Sequence, residues 1–225
     1  MSSGPVSMAA AAGPSTGGLR LVRPTAVHLP SYRAALERGY SPDNIRGAVA
    51  TQEQLAQIAS DPQAFLALMD DPEGAGPPVK MPDGTTRARI PGLRRWMWLG
   101  EDAAADGFVG SIGLRWTKDG SPLPPHVLGH VGYAVAPWHQ RRGHATRGLA
   151  LVLPLAAERG LRTVELTTDP ENVASQKVIE ANGGRLVEAF DKGEVYGHAP
   201  GLRYAITLSS PRVHEAPGTS GTTRA

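Results

Sequence analysis

The chain has 225 residues, 40% hydrophobic and 20% charged, and 23 Lys plus Arg against 21 Asp plus Glu leave a formal charge of +2. That length suits one packed domain, the near balance of charge gives no footprint for tracking nucleic-acid phosphates, and the lack of any Cys excludes disulfides, thiolate metal sites and a cysteine acyl-enzyme. No apolar run reaches membrane-spanning length and the start lacks the basic-then-apolar pattern of a secretion signal, so no membrane partner and a cytoplasmic location are expected.

Residues 1–18 and 210–225 are rich in Ala, Gly, Ser and Pro and are expected to be disordered tails around a single domain at 19–209. Leu19 to Arg23 reads as a short strand stopped by Pro24, and Leu29 to Arg38 as a helix ended by Gly39. Gln52 to Ile58 and Pro62 to Met69 are helical by periodicity, the second with Asp61 as its cap. Asp71 to Gly92, full of Pro and Gly, reads as a surface loop.

Trp96 to Leu99 and Phe108 to Trp116 form an antiparallel pair across an acidic turn, and Val131 to Val135 is the next strand, ended by Pro137. Thr146 to Arg159 is a helix closed by Gly160, in which Pro154 should cause a kink or a break. Thr163 to Thr168 is a β-branched strand, Pro170 to Ala181 a helix, and Arg185 to Phe190 and Leu202 to Leu208 closing strands. Antiparallel strands followed by strand-helix-strand predict a mixed α/β sheet.

The chemistry-bearing segment follows the strand at Val131. A Pro-terminated turn leads into Gln140, Arg141, Arg142, Gly143, His144 and Ala145, and a helix starts at Thr146. Such a turn aims unpaired backbone N–H groups and the positive end of the helix dipole at one spot suited to a pyrophosphate, with two arginines adding charge. These six residues alone fit an ordinary basic turn equally well.

Gln140, Gly143 and Ala145 match the coenzyme A signature of the GNAT superfamily of N-acetyltransferases, which is Gln or Arg, two residues, Gly, one residue, then Gly or Ala. After the next strand, Asn172 to Ser175, Val178 to Glu180 and the stop at Gly183 and Gly184 resemble the segment that follows in that superfamily. Gly129 to Tyr133, Lys177 to Gly184 and Arg203 to Ile206 are most similar to a bacterial branch of predicted acetyltransferases related to the ribosomal-protein alanine acetyltransferases.

The resemblance implies a GNAT fold: an α/β protein with a mixed, mostly antiparallel central sheet, a splayed parallel strand pair and flanking helices. It implies acetyl-CoA as co-substrate, held by Val135, Gln140, Arg141, Arg142, Gly143, His144, Ala145, Thr146, Asn172 and Ser175, between strands His130 to Val135 and Thr163 to Thr168. The N–H of Val135 would face the thioester oxygen, a contribution typically of ~3 kcal/mol to the barrier. It also suggests a homodimer.

The acceptor amine must lose a proton before it attacks. His130 on the catalytic strand is the first candidate base and Glu165 the second, although a histidine bonded to the backbone near Pro125 and a solvated strand carboxylate account for them as well. Many relatives protonate the departing thiolate with a Tyr seven positions after the Asn, where this chain has Ile179. Ser175 is the nearest substitute, and Tyr133 and Tyr204 are further hydroxyls, though strand aromatics more often belong to the core. The four histidines from His126 to His144 lack a metal-ligand spacing, so no metal is expected. Trp96, Trp98 and Trp116 are read as core.

The expected acceptor is a small-molecule amine, with a protein N-terminus as a further option, chosen by the first helices and the loops Asp71 to Gly92 and Asp191 to Pro200. The alternative to catalysis is an acyl-CoA binding regulatory module that needs neither acid nor base.

Overall fold

The computed structural model describes residues 18–103 and 106–208, so the expected tails, Gly18 apart, lie outside the described residues. Strand β1 (Arg20–Val22) is followed by a 3-10 turn and helix α1 (Leu29–Glu37), closed by Gly39 at φ +100°. Helix α2 (Gly47–Ser60) begins well before the expected Gln52, because Ala50 and Thr51 carry its buried face back toward the N-terminus. Helix α3 (Pro62–Ala67) starts as expected, with the Asp61 carboxylate accepting the N–H groups of Gln63 and Ala64 at 3.0 and 2.9 Å.

The stretch expected to be loop contains paired backbone: β2 (Asp70–Asp71) opens it, and β3 (Val79–Lys80) and β4 (Thr86–Arg87) form a hairpin. Strands β5 (Gly92–Trp98), β6 (Phe108–Arg115) and β7 (Val131–Val135) follow, then helix α4 (His144–Glu158), β8 (Thr163–Thr168), α5 (Val173–Glu180), β9 (Arg185–Asp191) and β10 (Pro200–Thr207). Helix α4 runs through Pro154 without the break that was one of the two expected outcomes. Pro154 and Ala150 are both exposed, so the carbonyl freed by the missing N–H lies on the side of the helix that faces water.

The strands form two main sheets. One has the order β1-β5-β6-β7 with β2 also on β5, and the other the order β8-β10-β9; every paired neighbour is antiparallel. An aromatic core of Tyr32, Tyr40, Phe65, Trp96, Trp98 and Phe108 lies between α1 to α3 and one face of the first sheet, where Tyr32 stacks on Trp96 at 4.2 Å. An aliphatic core including Ile112, Leu114, Leu149, Val152, Leu166 and Ile206 lies between the other face, the second sheet and α4. Trp96, Trp98 and Trp116 are core residues as expected. No helix among the described residues is long and apolar enough to cross a membrane.

Candidate active site

The two sheets meet where β7 and β8 run side by side. They share backbone bonding at one end only: the N–H of His130 donates to the Glu165 carbonyl at 2.8 Å, and the N–H of Glu165 donates to Nδ1 of the His130 ring at 3.1 Å. Gly129 allows this approach, since a Cβ there would sit 2.9 Å from the Glu165 oxygen. Beyond this vertex no ladder joins the strands among the described residues, and they part toward Val135 and Thr168.

The two expected bases are therefore occupied at the vertex. His130 spends the Nδ1 lone pair on a backbone N–H of β8, not on the loop near Pro125. Glu165 lies 3.3 Å from the Arg203 guanidinium, whose Nε donates to Glu188 at 2.8 Å. Burial, then Arg115, pushes the His130 pKa below its ordinary 6.5 against the pull of Glu165. With the folded value depressed, the neutral clasp contributes fully above pH 6.5 and is lost as pH falls from there through the folded value. Melting temperatures at about pH 7.5 and about pH 5.5 should therefore fall further for the native chain than for His130→Gln; equal falls would leave the clasp without a titration.

At the open end, the turn after β7 presents its backbone. Arg141 at φ +60° and Gly143 at φ +77° fold it into a concave nest, and the N–H groups from Arg141 to Thr146 have no hydrogen-bond partner among the described residues. A Cβ on Gly143 would find no atom within 4 Å, so the space above it is open. Arg141 and Arg142 are exposed and form no ion pair among the described residues. His139 Nδ1 and His144 Nε2 are buried without partners, and burial and Arg142 hold both rings below the ordinary histidine pKa. These orphaned donors and the open nest fit a pyrophosphate.

Between vertex and nest, β7 offers a free backbone edge. Its even-numbered residues are turned toward β6, as in the 2.8 Å bond from the Ala136 N–H to the Val109 carbonyl. The odd-numbered ones face away: the Tyr133 carbonyl accepts the Asn44 side-chain amide and the Val135 carbonyl accepts the Gln140 amide, both at 3.2 Å. The N–H groups of Tyr133 and Val135 thus point into the fork. Asn172 caps α5, its Oδ1 accepting the Ser175 N–H at 3.0 Å. Ser175 itself receives the Tyr133 hydroxyl at 3.2 Å, across the fork from β7 to α5. Ile179 is buried in the aliphatic core, as is the ring of Tyr204, whose hydroxyl reaches Glu180 at 3.4 Å.

On the opposite face of β5 to β7 lies a cavity of about 420 Å³. Its walls come from the α1–α2 loop at Asp43 to Arg46, the β3–β4 hairpin and Tyr196, the segments from which acceptor choice was expected. Arg94 and Arg115 line it from the sheet, and His126 from the loop before β7. Burial and Arg87 hold the His126 ring below the ordinary histidine pKa. Sequence reading weighed His126 only as a metal ligand, and passed over the arginines because strand alternation alone does not tell a cavity face from a solvent face.

Residues 50–185 match the family model described as acetyltransferase (GNAT) domain. Among solved structures the chain is similar to the acetyl transferase that modifies the N-terminal serine of 50S ribosomal subunit protein L7/L12 from Salmonella typhimurium, at 14% identity and a TM-score of 0.54, covering 87% of this chain and 97% of that one. It is similar to a GNAT-family acetyltransferase from Bacillus anthracis at 15% identity and a TM-score of 0.53, covering 86% and 97%. A third likeness is to RimL, a ribosomal L7/L12 alpha-N-protein acetyltransferase, in complex with coenzyme A, at 14% identity and a TM-score of 0.53, covering 86% and 96%. At such identities the likeness is one of fold. No curated protein matched the sequence.

Proposed function

The chain belongs to the GNAT acetyltransferase family, and from that premise we propose that it moves acetyl from acetyl-CoA directly to the primary amine of a small molecule held in the cavity beside β7. The observation that carries this reading is the fork, with an unpaired nest at its mouth and a hydroxyl pair, Tyr133 and Ser175, bridging its interior.

Bound acetyl-CoA supplies an activated acyl carbon and a thiol leaving group. The nest from Arg141 to Thr146, with Arg142 and the His144 ring, receives the pyrophosphate, and the Asn172 side-chain amide, whose oxygen is spent on the helix cap, offers its N–H groups to the arm. The Val135 and Tyr133 N–H groups stand ready for the carbonyl oxygen as negative charge builds on it. As the C–N bond forms and the C–S bond breaks, Tyr133 gives its proton to sulfur through or beside Ser175. Burial holds the phenol above its ordinary pKa of 10.0, so it stays protonated. His126, neutral at working pH and lining the cavity, takes the amine proton directly or through water.

The hydroxyl pair also weighs against a non-catalytic acyl-CoA binding module, which needs no proton donor at the sulfur. With no Cys in the chain, transfer runs in a ternary complex. Initial rates against a panel of primary amines, read by thiol release, should give intersecting double-reciprocal lines. Parallel lines, or acetylated protein caught by mass without acceptor, would point to a covalent intermediate on Ser or His instead.

A further inference from the structure

The cavity beside β7 contains two guanidinium groups that the protein itself leaves unanswered. In the β5–β6 register Arg94 lies opposite Gly113 and Arg115 opposite Gly92, so the two arginines stand diagonally on one face of the sheet, the cavity floor. Neither guanidinium has an ion pair or a hydrogen bond among the described residues. The other cations of the wall differ in this respect: Arg46 and Lys80 pair with Glu53 at 2.6 and 2.9 Å, Arg89 lies 3.7 Å from Asp71, and Arg87 donates to the Thr86 carbonyl at 3.1 Å.

The nearby carboxylates are already engaged. Asp43 accepts the N–H groups of Ile45 and Arg46 at 2.8 and 2.9 Å, and Asp71 accepts those of Ala75 and Gly76, each at 2.9 Å. Arg115 is desolvated, and burial, then Arg94, lowers its pKa, with only weaker opposing pulls from Tyr196 and Asp43. An arginine does not escape such a site by losing its proton. Two like charges side by side on a partly desolvated floor are an unfavourable arrangement that a bound anion relieves.

The floor is also shaped for a ligand. Gly113 and Gly132 stand opposite each other there; a Cβ on Gly113 would meet nothing nearer than 3.6 Å, and one on Gly132 would press the Arg115 guanidinium at 3.1 Å. The glycines leave a hollow above the sheet and room for the guanidinium beside it.

We propose that the acceptor carries an anionic group, a carboxylate or a phosphate, on the same small molecule as its amine, and that Arg94 and Arg115 bind that group while the amine reaches β7. This rests on the acceptor reading given above. The planar fork of Arg matches both oxyanions, and charge-assisted hydrogen bonds of this kind give about 10- to 100-fold discrimination against a neutral analogue.

The test uses matched pairs with the full chain: phenylalanine against its methyl ester, and phosphoethanolamine against ethanolamine, with acetyl-CoA and thiol release as the readout. At least one anionic member should exceed its neutral partner in kcat/KM by about 10- to 100-fold, and which pair shows it tells carboxylate from phosphate. Arg94→Gln and Arg115→Met should bring that ratio close to one. Arg115→Met should also melt no lower than the native chain, because it removes an uncompensated cation. Neutral amines used equally well, a ratio kept in both variants, or a destabilised Arg115→Met with the ratio intact in Arg94→Gln would overturn the proposal.

Calorimetry with N-acetylphenylalanine and N-acetylphosphoethanolamine separates this failure from failure of the transferase reading. If either acid binds the native chain and is lost in both variants while no amine releases thiol, the anion site stands and the transferase reading falls. If neither acid binds, the anion site falls.

Discussion

Replacing Gly143 by Asp should weaken acetyl-CoA binding at least about tenfold, roughly 1.4 kcal/mol, in a protein that remains folded. Gly143 sits at φ +77° immediately before α4, with open space where its Cβ would be and unpaired N–H groups on both sides. A carboxylate placed there adds bulk and negative charge where the ligand brings its own. Gly143→Ala separates the contributions, since it brings the backbone strain without the charge. Calorimetry should rank the native chain above Gly143→Ala and that above Gly143→Asp. Unchanged affinity in a folded Gly143→Asp would remove the nest from the binding site.

Tyr133→Phe should lower the turnover number by about a hundredfold, the lower end of the range for losing a positioned proton donor, with acetyl-CoA affinity nearly unchanged. The ring still packs against the aliphatic core, so the substitution removes only the hydroxyl that reaches Ser175 at 3.2 Å. Ser175→Ala should cost less, because the phenol keeps its proton and loses only its orienting partner. Burial raises the Tyr133 pKa from 10.0, so the native rate should show no alkaline decline attributable to this group through the physiological range. A Tyr133→Phe variant with native turnover would return sulfur protonation to solvent.

The turn at the open end of the fork was legible in the sequence because its signals are local. A strand, a Pro, a Gly-containing basic turn and a helix occupy one continuous stretch, and each imposes its own geometry. The cavity beside β7 was not, since Arg94, Arg115, His126 and Tyr196 come together only through strand register and two loops. Element edges failed where tertiary partners override local pattern. β5 begins at Gly92, ahead of the expected Trp96, because Arg95 is matched by Asp70 at 2.6 Å and Arg94 faces the cavity, so two consecutive charges do not end the strand. Likewise the Pro and Gly content around Val79 and Thr86 hid a hairpin whose strands are only two residues each. His130, expected as a base, has an architectural place that sequence could not show: its imidazole stands in for a backbone acceptor where two sheets part.

The side-chain amides of Asn44 and Gln140 occupy the carbonyls along the free edge of β7. An exposed strand edge invites pairing with any extended chain, and these two primary amides act as plugs. The pantetheine arm is itself built from amides, so an arm laid along β7 would swap one amide donor for another at these two carbonyls, with little net gain there. Asn44 belongs to the α1–α2 loop that walls the cavity beside β7. A ligand that takes the Tyr133 carbonyl from Asn44 would therefore also remove the bond that ties this loop to the β7 edge, and the two sites would be coupled through a single side chain.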